Sequence, residues 1–364
     1  QVRVTDEIGV SEVYLDATGG IDTNRRTVVS SGAQETTITF RTNVSASAQT
    51  GPTIQLYALA SDLSGNYASA TAMTLTVDPT ITIATPPSLS GSLLADGTAT
   101  QLVSPRAIGM SSKDNKLYVV DAAGTGACSP SCLWRVDPTS GTVETTPIYV
   151  GTGVLEGLAF DATADNIYLS DRQNRVTRLA WSGTTYATAT ACNDVAQQRP
   201  QDPYHLVLDA TLGILVVDGN RRNVQQIATC ASGSVGANLS AQDSFDTPRG
   251  VALGPAGEIY VSDLNNDRVS RVDRTTGALT AFAAGIDTPY GMEWLAGGTS
   301  PWADSLLVAS SQARIVVGTK GQSELAAAYL RNTPIDLTVA AGTMYVLTSP
   351  STNNRGRIYK VTGF

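Results

Sequence analysis

The sequence predicts an all-β chain in two units, and three observations carry that reading. Strand-like alternation of apolar and polar residues runs through residues 1–78 with almost no helical periodicity. A stretch rich in Pro, Gly and Ser follows over 79–96 and reads as a linker. From 97 to 364 a short pattern recurs six times, at spacings of roughly 41–50 residues.

In the first unit, Val2 and Val4, then Val10, Val13 and Leu15, flank a tight turn at Asp6-Glu7-Ile8-Gly9. Further strands are expected around Ile38, Leu56 and Leu75, with Gly65 and Asn66 supplying the positive φ of a turn between the last two. Short strands at this spacing predict a β-sandwich. Asp6, Glu7 and Asp62 are candidate calcium ligands, because hard cations take clustered carboxylates. The alternative is that Asp6 and Asp62 hydrogen-bond their own turns.

In the second unit each repeat opens on a short segment and runs into an apolar strand. The openings are Pro105-Arg106-Ala107, Leu155-Glu156-Gly157, Pro203-Tyr204-His205, Pro248-Arg249-Gly250, Pro289-Tyr290-Gly291 and Pro334-Ile335-Asp336. The following strands end at Asp121, Asp171, Asp218, Asp263, Ser310 and Thr348. Six units of several short strands predict a six-bladed β-propeller, with Leu117, Val119, Ile259 and Val261 packed between blades. The last unit is one outer strand short, and residues 98–103 are expected to supply it, so that the two chain ends share a blade and remove an exposed edge.

Composition narrows the functions available. There are 24 Lys plus Arg against 32 Asp plus Glu, a net charge of −8, which argues against nucleic acid as a partner. His205 is the one histidine, which excludes any centre built from several imidazoles. No apolar run of about 18 residues predicts a membrane-spanning helix. The chain starts directly on a strand, without a basic and apolar leader, so a processed or trimmed start is expected. Cys128 and Cys132 bracket three residues and fit a small disulfide loop better than a metal site, since no third Cys or His is near. Cys192 and Cys230 then form the second pair. Together with Thr- and Ser-rich strands, this points to an extracellular or cell-surface compartment, or the periplasm.

The residues also carry two resemblances. Asp6-x-x-Gly9-Val10 followed by Ala60-x-Asp62-x-x-Gly65-Asn66 resembles bacterial immunoglobulin-like domains of secreted and surface proteins. That family has a strand ahead of the one starting at Gln1. Its lack here implies either a trimmed chain or a sheet edge open to a strand from a partner or a second copy. The run Pro248-Arg249-Gly250-Val251 to Asp263-x-x-Asn266-x-Arg268-Val269 resembles the NHL repeat of six-bladed propellers, and Asp171-Arg172-Gln173-Asn174-Arg175 repeats its turn. Lactonase-like propellers hold a divalent metal with Glu, Asn and Asp at the axis. Glu156 and Asp336 match two of these, and no Asn falls in the aligned columns.

Aligned at the axial mouth, the first column reads Arg106, Glu156, Tyr204, Arg249, Tyr290 and Ile335, and the second Ala107, Gly157, His205, Gly250, Gly291 and Asp336. Counting puts His205 and Asp336 in opposite blades. The mixture suits a polar pocket: arginines for anions, tyrosines for stacking a carbohydrate or peptide, Glu156 with His205 for proton transfer. The competing reading is a water-filled channel. With no Gly-x-Ser-x-Gly elbow, the expectation is a non-catalytic adhesion, scaffold or recognition protein, possibly part of a larger surface assembly with a protein partner and no catalytic residue. The alternative is a metal-dependent hydrolase or lactonase at the axis.

Overall fold

The computed structural model describes strand segments 2–5, 10–18, 23–28, 35–38, 53–62, 67–69, 73–76 and 90–96. It also describes 101–362 apart from 124–125, 193–199, 232–235, 285, 298–301, 312–314, 320–323, 331 and 351–355. Six four-stranded antiparallel blades form the propeller. Their innermost strands are Pro105–Ser111, Leu155–Phe160, Pro203–Asp209, Pro248–Leu253, Pro289–Leu295 and Pro334–Ala340, which number the blades one to six. Each touches the next, and the sixth touches the first, so the ring is closed. The sole helical turn among the described residues is Leu264–Asn266.

The second strand of each blade is apolar on both sides because it serves two cores. In Lys116–Asp121, Leu117 and Val119 pack with Tyr345 and Leu347 of blade six, while Tyr118 and Val120 pack with Ile167 and Leu169 of blade two. Ile259 and Val261 do the same against Leu215 and Val217 of blade three. A strand buried on both faces reads as a continuous apolar run rather than an alternating one. Each such side chain contributes about 1.5–3 kcal/mol by leaving water.

The chain ends share blade six, but not through the strand expected. Its outer strand is Ser90–Asp96, paired antiparallel with Arg357–Thr362, rather than 98–103. Leu102 explains the difference. It has φ of 51°, is fully buried, and its carbonyl accepts a hydrogen bond from the Gly356 N–H at 2.6 Å. A branched residue held in the left-handed region cannot continue a strand.

The repeated aspartates act as latches. Asp121 accepts the N–H groups of Val103 and Ser104, and Asp218 those of Gln201 and Asp202. Asp263 accepts from Asp246 N, Asn266 Nδ2 and Arg268 Nη2 at 2.7–3.0 Å. Each carboxylate thus ties the segment that feeds its own blade's inner strand, which satisfies buried backbone donors. In blade five, Ser310 substitutes by donating to the Asp287 carbonyl at 2.5 Å. Both disulfides form as expected, Cys128–Cys132 and Cys192–Cys230, the second joining the outer part of blade two to blade three.

In the first unit, Val2–Thr5 pairs with Glu35–Ile38, and Val10–Thr18 lies between Thr23–Val28 and Thr53–Asp62. Tyr67–Ser69 bridges Thr53–Asp62 to Ser90–Asp96, so this sheet runs on from blade six. The turn residues behind the immunoglobulin-like reading, Asp6 to Gly9 and Gly65-Asn66, lie outside the described residues. So do Gln1, where the open edge was expected, and the calcium candidates Asp6 and Glu7, together with the side chain of Asp62.

Candidate functional site at the propeller axis

All six inner strands break register near their start: the pairing skips the first-column residue in every blade, and the second-column residue as well in blades three, four and five, whereas Ala107, Gly157 and Asp336 stay paired. The breaks fall between Pro105 and Ala107, Leu155 and Gly157, Pro203 and Leu206, Pro248 and Val251, Pro289 and Met292, and Pro334 and Asp336. A bulge bends its strand and redirects a side chain, and it recurs next to functional sites. Serines on the second strands fix two of these segments from the neighbouring blade. Ser170 Oγ donates to the Tyr204 carbonyl, and Ser262 Oγ to the Tyr290 carbonyl at 2.7 Å.

His205 and Asp336 face each other across the bore. His205 Nδ1 lies 3.8 Å from Asp336 Oδ1, while Nε2 is 3.4 Å from the Arg106 carbonyl oxygen and Asp336 Oδ2 accepts the Ile108 N–H at 2.9 Å. The carbonyl selects the tautomer with hydrogen on Nε2, which leaves the Nδ1 lone pair toward Asp336. Burial pushes the imidazole down to about 4 and the Asp336 carboxyl up to about 8. Near pH 7 the contact therefore joins two neutral groups and is not an ion pair. The glycines of the second column make the crossing possible: a Cβ on Gly291 would meet Asp336 Cα at 2.8 Å, and one on Gly157 would meet His205 Cα at 2.9 Å.

Beyond this pair lies a cavity of about 560 Å³ along the axis. Its walls include Met110, Phe160, Leu253, Met292, Trp294 and Val339, and its polar groups include His205, Glu293, Asp336, Ser112 and Asn115. Among the described residues no Lys or Arg lines it. Glu293 was not legible as a site residue. Its carboxylate accepts the Val339 N–H at 3.2 Å and is pushed up to about 7, first by burial and then by repulsion from Asp336. The available signal was its column, which otherwise reads Gly109, Ala159, Val207, Ala252 and Thr338. Trp294 stacks on Tyr260 at 5.6 Å, and its Nε1 is buried without a hydrogen-bond partner.

The remaining predicted residues gather at the opposite mouth. Glu156 is buried, with Oε2 3.6 Å from Arg106 Nε and Oε1 3.8 Å from Arg172 Nη1. Burial raises its carboxyl against the pull of Arg106, Arg172 and Arg249. Arg172 also donates to Asp202 at 2.7 Å. Arg249 lies over the rings of Tyr204 and Tyr290. The column thus splits into a guanidinium-rich mouth and the His205–Asp336 pair, with Ile335 buried in the core between blades six and one. Arg172 and Asp202 went unrecognised in the sequence because they precede or leave the aligned columns.

These residues do not fit a divalent metal. Both Glu156 oxygens face guanidinium groups, and Asp336 holds a backbone N–H and a neutral imidazole. No group of three or more His, Cys, Asp or Glu with metal-holding geometry occurs among the described residues. The metal-binding arrangement that Glu156 and Asp336 suggested is therefore absent from their surroundings.

Taken together, the fold is a six-bladed β-propeller with an axial cavity and an acid–base cluster at its waist. Residues 245–271, in blade four, match the NHL repeat. No curated protein matches the sequence. Among solved structures, the chain is similar to a gluconolactonase from Xanthomonas campestris, with 18% identity, a TM-score of 0.57, and coverage of 76% of this chain and 89% of that one. It is similar to a virginiamycin B lyase from Staphylococcus aureus, with 12% identity, TM-score 0.52 and coverage of 88% and 94%. A structure of the nidogen/laminin complex matches at 16% identity and TM-score 0.51, over 76% and 93%. At these identities the likeness establishes the fold. The expectation of a non-catalytic adhesion or scaffold protein is corrected: a lactonase and a lyase stand among the similar structures, and the axis holds buried acids in a cavity. No described helix is long and apolar enough to cross a membrane, and the two disulfides are compatible with an extracellular or periplasmic setting.

Proposed function

We propose that the chain is a hydrolase of lactones or simple esters that works by metal-free acid–base chemistry in the axial cavity. The observation that carries this reading is the gathering of Asp336, Glu293 and His205 around one cavity, with the two carboxyl groups displaced to about 8 and about 7. Groups poised near the working pH are suited to proton transfer, and their clustering in a cavity is a signature of an active site. The gluconolactonase and lyase neighbours support an enzyme on this scaffold.

In this reading Glu293 is ionised and takes a proton from water as the water oxygen bonds to the acyl carbon. Asp336 is protonated and gives its proton to the departing ring or alkoxy oxygen as the acyl C–O bond breaks. The Nδ1 lone pair of His205 faces the Asp336 carboxyl from 3.8 Å, and the Ile108 N–H fixes the other carboxyl oxygen. A cavity with buried acids and no Lys or Arg among its described lining residues favours a neutral substrate and expels the carboxylate product.

The test is hydrolysis of γ- and δ-lactones and a nitrophenyl ester by the full chain after chelator treatment. A bell-shaped rate profile centred between about pH 7 and about pH 8 is expected, because Glu293 must be ionised and Asp336 protonated. Glu293→Gln and Asp336→Asn should each lower kcat by roughly 10²–10⁴. Activity that vanishes with chelation and returns with a divalent ion, or that survives both substitutions, would rule the mechanism out.

A further inference from the structure

We infer that the guanidinium-rich mouth is a second, separate binding site, and that it takes a carboxylate. It lies at the opposite end of the axis from the cavity, beyond the His205–Asp336 pair, and does not depend on the hydrolase reading.

The charges there do not balance. Arg106, Arg172 and Arg249 bring three positive charges, and Glu156 and Asp202 answer with two. Arg106 and Arg172 share Glu156, and Arg172 also holds Asp202. Arg249 is left over: among the described residues no carboxylate lies within ion-pair distance of it, and its buried Nε has no hydrogen-bond partner. An unmatched buried donor on a cation is costly unless a ligand completes it. The protein carries a net charge of −8, so an unpaired arginine here is not part of a general surface excess.

The guanidinium is also held ready. Its carbon lies 3.9 Å from the centre of the Tyr204 ring and 5.6 Å from that of Tyr290. Packing against these rings holds the guanidinium plane, and its N–H fork matches the two oxygens of a carboxylate. Tyr204 and Tyr290 are themselves fixed by the serines that bond their carbonyls from the preceding blades. One unpaired positive charge beside Glu156 and Asp202 suits a monoanion and repels a second negative charge, which selects a carboxylate over a phosphate dianion.

Calorimetric titration of the full chain with benzoate, benzamide and inorganic phosphate tests the inference. Benzoate should saturate, more weakly at higher salt, and benzamide and phosphate should not. Arg249→Gln should weaken benzoate roughly ten- to a hundredfold. Arg249→Lys keeps the charge but loses the fork, and serves where the glutamine variant does not fold; weakening of about tenfold is expected. Equal binding of benzamide, binding of phosphate in place of benzoate, unchanged affinity in a folded Arg249 variant, or no saturation by benzoate would each overturn the assignment.

Discussion

Replacing Asp336 with Asn should stabilise the fold, by an amount that grows with pH. In the folded chain burial holds the Asp336 carboxyl near 8, whereas its ordinary value is 3.8. Between those values the unfolded chain releases the proton and the folded chain keeps it. The unfolded state then binds fewer protons, so stability from this residue falls as pH rises. Each pH unit is worth about 1.4 kcal/mol, so at pH 7 the aspartate costs roughly 4 kcal/mol relative to a group that does not ionise. Asparagine keeps an oxygen for the Ile108 N–H, and its similar shape leaves Gly291 uncrowded. Urea denaturation of both proteins at pH 4.5, 6 and 7.5, followed by tryptophan fluorescence, reads the difference. The variant should already lead by about 1 kcal/mol at pH 4.5, and the gap should widen by about 1.4 kcal/mol per pH unit up to pH 7.5. Parallel curves, or a variant destabilised at every pH, would refute the account of Asp336 as a buried, proton-holding acid. A more stable protein that has lost hydrolysis is also the pattern expected of a strained catalytic group.

Other outcomes follow from the same geometry. The single histidine makes an unambiguous NMR titration: the His205 ring protons should move with a midpoint near 4, and a midpoint near the usual 6.5 would show that the imidazole is not buried against Asp336 and Arg106. The Cys192–Cys230 bridge spans 38 residues and Cys128–Cys132 only 4, so chain-entropy arguments give losses of about 4 and about 2 kcal/mol on Cys→Ala double replacement. Thermal melts of the two variants should rank in that order. Gly291→Ala forces a Cβ against Asp336 Cα, at a cost of about 1–3 kcal/mol, and should lower both melting temperature and lactone hydrolysis. A variant with wild-type values for both would separate Gly291 from the positioning of Asp336.

Several features of the molecule were legible because they repeat or obey local chemistry. The period marked six blades and the apolar second strands marked inter-blade cores, while the latching role of the aspartates that end four of those strands emerged from the structure. The first aligned column picked out the residue that each of the six bulges leaves unpaired, and the second column holds the His205–Asp336 pair. Counting blades put His205 opposite Asp336, because a ring of equal units converts sequence position into angle. The disulfides followed from their spacing and number.

What the chain could not reveal locally is depth along the axis and the company each side chain keeps there. Neighbouring columns differ by one residue, yet Arg106 and Glu156 belong to a charged mouth while His205 and Asp336 close the bore below it. Glu293 became visible only when the cavity brought it to the same wall as Asp336, since its neighbours in sequence are ordinary strand residues. The closing strand likewise depended on Leu102 turning into the core, a conformation set by packing between blades rather than by strand propensity. Blade number, the aligned axial columns and the covalent cross-links could be read along the chain, because they arise from repetition and short-range bonding. Only the tertiary structure decided which carboxyls are buried together and which arginine is left unpaired, because desolvation and charge balance depend on distances across the ring.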